Sequence, residues 1–359
     1  MSNHPIRIGF IGLKPDSHWA ATAHIPALDS LTDRFEIVGV ANSNLASSQK
    51  AAKAFGIRHA FASASELVQS ADIDLVVITV KVPHHLELVS LALNAGKHVY
   101  CEWPLGNGLE EARKLAQLAE EKNVVAIAGT QARFADEIQH LKTLITEGFV
   151  GKVLSTTLVG SGGQWGAEFI SEYAYLSDKK NGATMQAIPL AHTLAAVREV
   201  LGDFGEMSAK FANNFDTLKL TDTGVVIPKT APDQVMAQGF LKSGAAISIH
   251  YRGGMSRGTN LLWEINGTEG DIQVTGENGH AQMVQLKVKG ARGDAVVLAD
   301  IIPSVESQKH HLTQVIPRNV AAIYSRIADD ITNGTCTAPS FRDAVYLHEV
   351  IDRLERSAT

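Results

Sequence analysis

The stretch DLVVITVKVPHHLELVSLALNAGKHVYCEWPLG, residues 74–106, decides how the first third of the chain is built. It opens on a continuous apolar run and passes into a segment whose apolar residues recur at three and four. After Gly96 it resumes as a second apolar run that ends in a proline turn. A short continuous apolar run reads as a strand buried on both faces, and the three-and-four spacing reads as a helix laid along a sheet. Glycine just past the last periodic residue is a common helix stop. Strand, helix and strand in this order make a parallel crossover unit.

The same alternation extends outward on both sides. Further strands are expected at Ile6 to Gly12, Phe35 to Ala41 and Val124 to Gly129, beside those at Leu75 to Val80 and His98 to Glu102. Helical segments, LASSQKAAKAFG and LEEARKLAQLAEEKN among them, lie between. Such a block is a doubly wound parallel sheet with its ligand crevice at the carboxyl ends of the strands. After about residue 130 the texture changes. A helix near Glu137 to Glu147 leads into segments such as AAISIHYRG, LLWEING and MVQLKVKG, whose alternation marks an antiparallel sheet with one exposed face. The tail from Asn319 to Ser357 is amphipathic and helical. The expected fold class is α/β: an N-terminal Rossmann sheet over 1–130, then an α+β domain over 131–359 with a large open, mainly antiparallel sheet. The C-terminal helices are free to pack back on the first domain.

Bulk properties narrow the partners. The chain has 359 residues, 45% of them hydrophobic, enough for two cores. With 32 Lys and Arg against 38 Asp and Glu, the net charge of -6 gives no electrostatic reason to approach nucleic acid or an anionic membrane. Small molecules are the expected partners. The two cysteines, Cys101 and Cys336, lack metal-ligand spacing, so zinc and iron–sulfur readings fall away and a reducing compartment is expected. No secretory leader pattern and no apolar run near the roughly 20 residues of a membrane span is present, which makes the expectation a soluble cytoplasmic protein.

The first strand, IRIGFIGL, runs into Gly12. A full dinucleotide fingerprint needs two more glycines, whereas KPDSHWAATAH follows here. Position supports the reading instead: first strand, first turn, then a helix whose N–H groups receive an anion. Lys14 lies in that turn, and Ser17 is a candidate cap. The second strand ends in Asn42, Ser43 and Asn44, neutral where an acidic residue would hold the ribose hydroxyls of NAD. NAD and NADP both remain open.

Taken in order, IGFIGL, the 74–106 stretch, AGTQARF, GFVGKV, NGATMQAIPLAHTLAAVREVLG, INGTEGDIQV and PSFRDAVYLHEVIDRLERSA resemble the Gfo/Idh/MocA oxidoreductase family. The long loop with Trp19 and His24, VKVPHH, and the tryptophan of EWPLG resemble its Gal80-like branch, whose namesake is a dinucleotide-binding transcriptional repressor. The resemblance implies an NAD(P)-dependent oxidoreductase acting on a sugar or polyol. Its alternatives are a glycoside hydrolase using transient oxidation by NAD, or a non-catalytic regulator.

Residue roles follow from that resemblance. Gly12, Leu13, Lys14, Trp19, Asn42, Ser43, Val80, His85, Glu102, Trp103 and Gln131 fall where the family holds its cofactor. Family enzymes carry a catalytic lysine at residue 103, and tryptophan cannot carry a proton there. His192 matches the family histidine that takes the substrate proton. The aspartate usual four residues earlier is Ile188, and Gln186 is the nearest polar residue if AIPLA holds an insertion. Lys81 is a substitute base, a solvated lysine or a phosphate partner, and Tyr175 joins it and His192 among the catalytic candidates. Gln164, Trp165, Tyr173, Asp178 and Lys179 are candidates for a carbohydrate ring and its hydroxyls. Arg133 either holds a substrate anion or ties the domains together. The exposed sheet face points to a homodimer or homotetramer.

Overall fold

A computed structural model describes residues 4–16, 19–303 and 312–358, and the Ser17 cap lies outside these. The chain divides into two compact units, Met1–Thr130 with His310–Tyr346, and Gln131–Lys309 with Leu347–Thr359.

The first unit is a six-stranded parallel sheet. Its strands are β1 (Ile6–Ile11), β2 (Phe35–Ala41), β3 (His59–Phe61), β4 (Leu75–Ile78), β5 (His98–Glu102) and β6 (Ala126–Gly129), in the order β3-β2-β1-β4-β5-β6. This is the doubly wound order, with the topological switch between β1 and β4. Every residue of β4 and β6 is buried, as continuous apolar runs require. The edge strand β3 was not among the expected strands: it has only three residues, none fully buried, so its apolar signal is too short to stand out. The crossover helices are α1 (Ile25–Asp29), α2 (Leu45–Phe55), α3 (Ala64–Gln69), α4 (His85–Asn94) and α5 (Leu109–Lys122). A π-helical turn, Ala20–His24, leads into α1, so regular helix begins well after Gly12 rather than directly at it.

In the second unit, α6 (Asp136–Thr146) precedes β7 (Val153–Ser161), and α7 (Ala191–Leu201) follows the two-residue strand β8 (Glu168–Phe169). Then come β9 (Phe204–Ala212), β10 (Thr217–Leu220), β11 (Val226–Pro228), β12 (Gln234–Leu241), β13 (Ala246–Arg252), β14 (Leu261–Gly267), β15 (Gly270–Gly276), β16 (Lys287–Arg292) and β17 (Ala299–Ile301). Eight of them form one sheet, β17-β16-β15-β14-β7-β13-β12-β9, antiparallel except for β7 beside β13. Burial alternates along β12 and β13, so one face packs and the other lies open. Two long helices close the chain: α8 (Val315–Asn333) belongs to the first unit, and α9 (Phe341–Ala358) passes from the first unit into the second.

Gly160 of β7 has a physical reason to be glycine. A Cβ there would lie 2.2 Å from the ring of Tyr251 on β13, so the missing side chain is the space the tyrosine occupies. A second buried device ties down the excursion between β9 and β12. The Lys229 and Asp233 side chains are both 0% exposed. Lys229 Nζ donates to Asn213 Oδ1 (3.0 Å), the Ala231 carbonyl (2.6 Å) and Asp233 Oδ2 (3.4 Å). Asp233 also accepts from the N–H groups of Asn214 (2.7 Å) and Phe215 (3.1 Å) and from the Asn214 amide (3.0 Å). Burial pulls the lysine below its ordinary range, and the aspartate opposes that pull. Removing one member of a buried pair leaves the other charge poorly compensated. Lys229→Met is therefore expected to lower unfolding free energy by about 3 kcal/mol in urea titrations, and an unchanged midpoint would mean the three amide donors suffice.

Candidate functional site

Because β1 to β6 run parallel, the residues that follow β1, β2, β4 and β5 gather at one edge of the first unit. Gly12 turns there with φ 102°, and a Cβ on it would lie 2.7 Å from Val80 Cγ1 and 3.2 Å from the Thr79 carbonyl carbon. Only glycine admits both the conformation and the approach. Leu13 is buried beneath the turn, and Lys14 is exposed. Asn42 fastens the loop: its Nδ2 donates to the carbonyls of Leu13 (2.7 Å) and Ser47 (3.2 Å). Ser43 is exposed, and Asn44 caps α2 by accepting from Ser47 N–H at 2.9 Å. Trp19 Nε1 and Asn42 Oδ1 are buried without a hydrogen-bond partner. An open glycine turn flanked by an unpaired donor and an unpaired acceptor fits a phosphate and ribose group, so these residues suit a dinucleotide.

The turn after β5 is held from both sides. Trp103 is 5% exposed, and its bond to Pro104 is cis. On one flank Glu102 Oε1 lies 3.0 Å from His24 Nε2, while His24 Nδ1 lies 2.8 Å from the Tyr324 hydroxyl. The Tyr324 hydroxyl and the Glu102 carboxylate thus each have one ring nitrogen of His24 as partner. On the other flank buried His85 sets its ring nitrogens 2.7 Å from the Pro104 carbonyl and 3.0 Å from the Val80 carbonyl. Burial lowers the His85 pKa against the pull of both carbonyls. It thus joins the end of β4 to the turn bearing Trp103. Lys81 is exposed at the start of the 3-10 turn Val82–His84.

The second unit carries its own polar cluster. His192 lies on α7, 4% exposed, and its Nδ1 is buried with no partner. Burial first, then the neighbouring His280, lower its pKa to about 3. His280 donates from Nε2 to the Gly162 carbonyl at 2.7 Å, and burial lowers its pKa to about 4. Its ring stacks on Trp165 with centroids 5.9 Å apart. Trp165 is 1% exposed, has φ 55°, and donates from Nε1 to the Ala183 carbonyl at 3.0 Å. The sequence before His192 forms a π-helical turn, Gln186–Leu190, the local form that one extra residue in a helix takes. Gln186 Nε2 there donates to Glu355 Oε1 at 2.8 Å, which commits that amide to α9.

The remaining candidates fall in two groups. Tyr173 and Tyr175, both partly buried, occupy the 3-10 segment Ser171–Ser177. Burial, then Tyr173 and Glu172, raise the Tyr175 phenol to about 12. Asp178 Oδ1 accepts from Lys180 N–H (3.0 Å) and Thr230 (3.1 Å), and Lys179 is exposed beside it. Gln164 is partly buried, its carbonyl accepting from Gly254 N–H at 2.9 Å. Gln131 is wholly buried. Arg133 donates twice to Glu199 Oε2 (3.0 and 2.8 Å), and Lys142 reaches Oε1 (2.7 Å). Burial pushes the Glu199 carboxyl up, but the two cations outweigh it and hold it below the usual range.

Residues 6–130 match the oxidoreductase family with NAD-binding Rossmann fold, and 137–276 match the Gal80p C-terminal domain. The galactose/lactose metabolism regulatory protein GAL80 of Kluyveromyces lactis is 32% identical over 79% of this chain and 67% of its own length. The chain belongs to the Gfo/Idh/MocA oxidoreductase family. Within it, the Gal80-like second domain sets the branch, and the first unit is the family's nicotinamide-dinucleotide domain. Dehydrogenase aclE of Aspergillus oryzae is 32% identical over 76% of the chain and 77% of its own. A crystal structure of a super-repressor mutant of Gal80p from Saccharomyces cerevisiae superposes with TM-score 0.90 at 26% identity, covering 99% and 96% of the two chains. Levoglucosan dehydrogenase in complex with NADH and levoglucosan shares the Gfo/Idh/MocA fold, with TM-score 0.84 at 20% identity over 99% and 97%.

Two residues of these clusters were not legible in the sequence. His280 sits in ENGHAQM, a glycine turn with no periodicity, and nothing local joins it to His192. Tyr324 reads as one more apolar position of an amphipathic helix. The histidine pair yields a stability prediction. In the unfolded chain both imidazoles titrate near the ordinary 6.5, but in the folded protein only near 3 and 4. Between those limits the unfolded state binds more protons, so the neutral pair's contribution is complete above pH 6.5 and is lost as the pH falls below it. Urea unfolding at pH 7 and pH 5 should show the acid-induced loss shrinking by about 2 kcal/mol in His192→Gln; an identical pH slope would mean that His192 titrates in the fold as it does in the unfolded chain.

Proposed function

We propose that the protein is an NAD(P)-dependent oxidoreductase interconverting a sugar or polyol hydroxyl with the corresponding carbonyl. The observation that carries this reading is His192: its Nδ1 is buried without a partner, and the ring is neutral at physiological pH. Such a neutral nitrogen accepts a hydrogen bond from a substrate hydroxyl, burial excludes competing water, and proton transfer to it requires that bound substrate and coenzyme raise its basicity from the depressed value of the empty site. A bound nicotinamide supplies the hydride acceptor. For each hydride leaving the alcohol carbon, the hydroxyl proton passes to His192, and the carbonyl forms with charge conserved. The turn Gly12, Leu13, Lys14 with Trp19 would hold the pyrophosphate side, Asn42 and Ser43 the ribose, and Val80, Trp103 and Gln131 the nicotinamide side. Asn42 and Ser43 are neutral, which accommodates NAD and NADP alike.

Tyr175, whose phenol stays protonated to about pH 12, serves as a hydrogen-bond donor to substrate oxygen rather than as a base. Lys81, exposed, supplies positive charge on the coenzyme side. Gln164, Tyr173, Asp178 and Lys179 are offered to sugar hydroxyls, with Trp165 as the wall behind them. Arg133, already bound to Glu199, is assigned to structure within its own unit. The open sheet leaves Leu154 (50%), Met236 (44%) and Phe240 (55%) exposed, which supports assembly of copies of this chain.

One observation favours a second reading, a coenzyme-responsive regulator: buried Trp103 stands where family enzymes carry a catalytic lysine, and the similarity to the GAL80 regulators agrees with it. Calorimetry with NADH and NADPH, followed by a panel of sugars and polyols monitored at the reduced-nicotinamide absorbance, separates the two. Coenzyme binding with turnover is the expected result; binding without turnover on any panel member assigns the regulator. His192→Asn is expected to cut kcat by about 10²–10⁴ while coenzyme affinity stays unchanged. Trp103→Lys is expected to change turnover, and if neither turnover nor coenzyme affinity moves, the site lies elsewhere.

A further inference from the structure

His192 and His280 are brought together from distant parts of the chain, and a single hydroxyl touches the backbone neighbours of both. Tyr251 OH lies 2.7 Å from Thr193 Oγ1 and 3.1 Å from the Gly279 carbonyl. Thr193 adjoins His192, and Gly279 adjoins His280. Thr193 Oγ1 also lies 3.2 Å from the Pro189 carbonyl, inside the π-helical turn that precedes α7, and the bridge is complete when Thr193 donates to the Tyr251 oxygen and Tyr251 donates to Gly279. Tyr251 is 0% exposed and Thr193 1% exposed. The tyrosine ring is fixed by the space left at Gly160, and Gly279 is pressed so closely on Ser161 that a Cβ would lie 2.1 Å from its carbonyl oxygen. His280 is fixed independently by the Gly162 carbonyl and the Trp165 ring.

We propose that Tyr251 is the positioning residue of the histidine pair, its hydroxyl setting the separation of His192 from His280 by bridging Thr193 and Gly279. The proposal rests on the reading of His192 as the proton acceptor and says how that role is kept open. His280 spends its Nε2–H on Gly162, and its Nδ1 lies 3.5 Å from Gln282 Nε2, so it does not compete for the substrate proton. Its nearness disfavours a charge on His192. Among the described residues, the Tyr251 phenol joins the two imidazoles at this place, and burial pushes it far up and keeps it neutral. Without the bridging hydroxyl the two segments relax apart and water enters, and both changes favour the protonated form of His192.

The test uses the full chain labelled with ¹⁵N-histidine, His192 being assigned by its absence in His192→Gln. Tyr251→Phe keeps the ring against Gly160 and removes only the hydroxyl. At pH 5 the protonated fraction of His192 is expected to be about tenfold larger than in wild type. Thr193→Val, which cuts one arm of the bridge, should move the same way, and Thr193→Ser should restore the wild-type fraction. A His192 signal unmoved in Tyr251→Phe, or in Thr193→Val if the first variant does not fold, overturns the proposal even if turnover falls. Absence of turnover in the wild type would overturn the oxidoreductase reading alone, because the titration needs no coenzyme.

Discussion

The first unit depends on one place where a side chain is missing. At Gly12 the chain leaves β1 in a conformation that L residues avoid and passes within contact of Val80 at the end of β4. That approach draws together the two strands flanking the topological switch, where a doubly wound sheet binds its ligand. The fingerprint's two later glycines are absent, yet the turn stands, because Asn42 ties it from the side through Leu13 and Ser47. A hydrogen-bonded amide has taken over part of what further glycines do by geometry alone.

Around that turn, buried histidines act as struts. His85 spans the Val80 and Pro104 carbonyls, and His24 spans Glu102 and Tyr324. Both are almost fully buried, so each bond forms where water does not compete, and each unmade bond would cost more than it does at the surface. The turn bearing Trp103 is therefore fastened on both flanks.

In the second unit the same residue type does different work. His192 keeps a nitrogen unpaired, while His280 is paired and stacked. Burial lowers the pKa of both, but their hydrogen bonding differs: Nδ1 of His192 has no partner, and Nε2 of His280 is committed to the backbone. Tyr251 and Gly160 belong to the sheet, and the Tyr251 hydroxyl reaches Thr193 on α7, which links the packing of β7 against β13 to the helix that bears His192.

The sequence alone determined the elements and their order. Periodicity is local: continuous apolar runs and the three-and-four spacing gave the parallel sheet and its helices, and alternation gave the open antiparallel sheet. Gly12 stood out as the residue that ends the first strand, whereas His192 and the tryptophan at 103 were singled out only through the family resemblance, not by periodicity. A three-residue edge strand such as β3 carried too little apolar signal to register. Only the tertiary structure decided which partners those residues have. Tyr324 meets His24 across 300 positions and Tyr251 meets Thr193 across 58. Contacts of that span leave no trace in local pattern, since a buried tyrosine on a strand or helix reads as core until the fold shows what its hydroxyl touches.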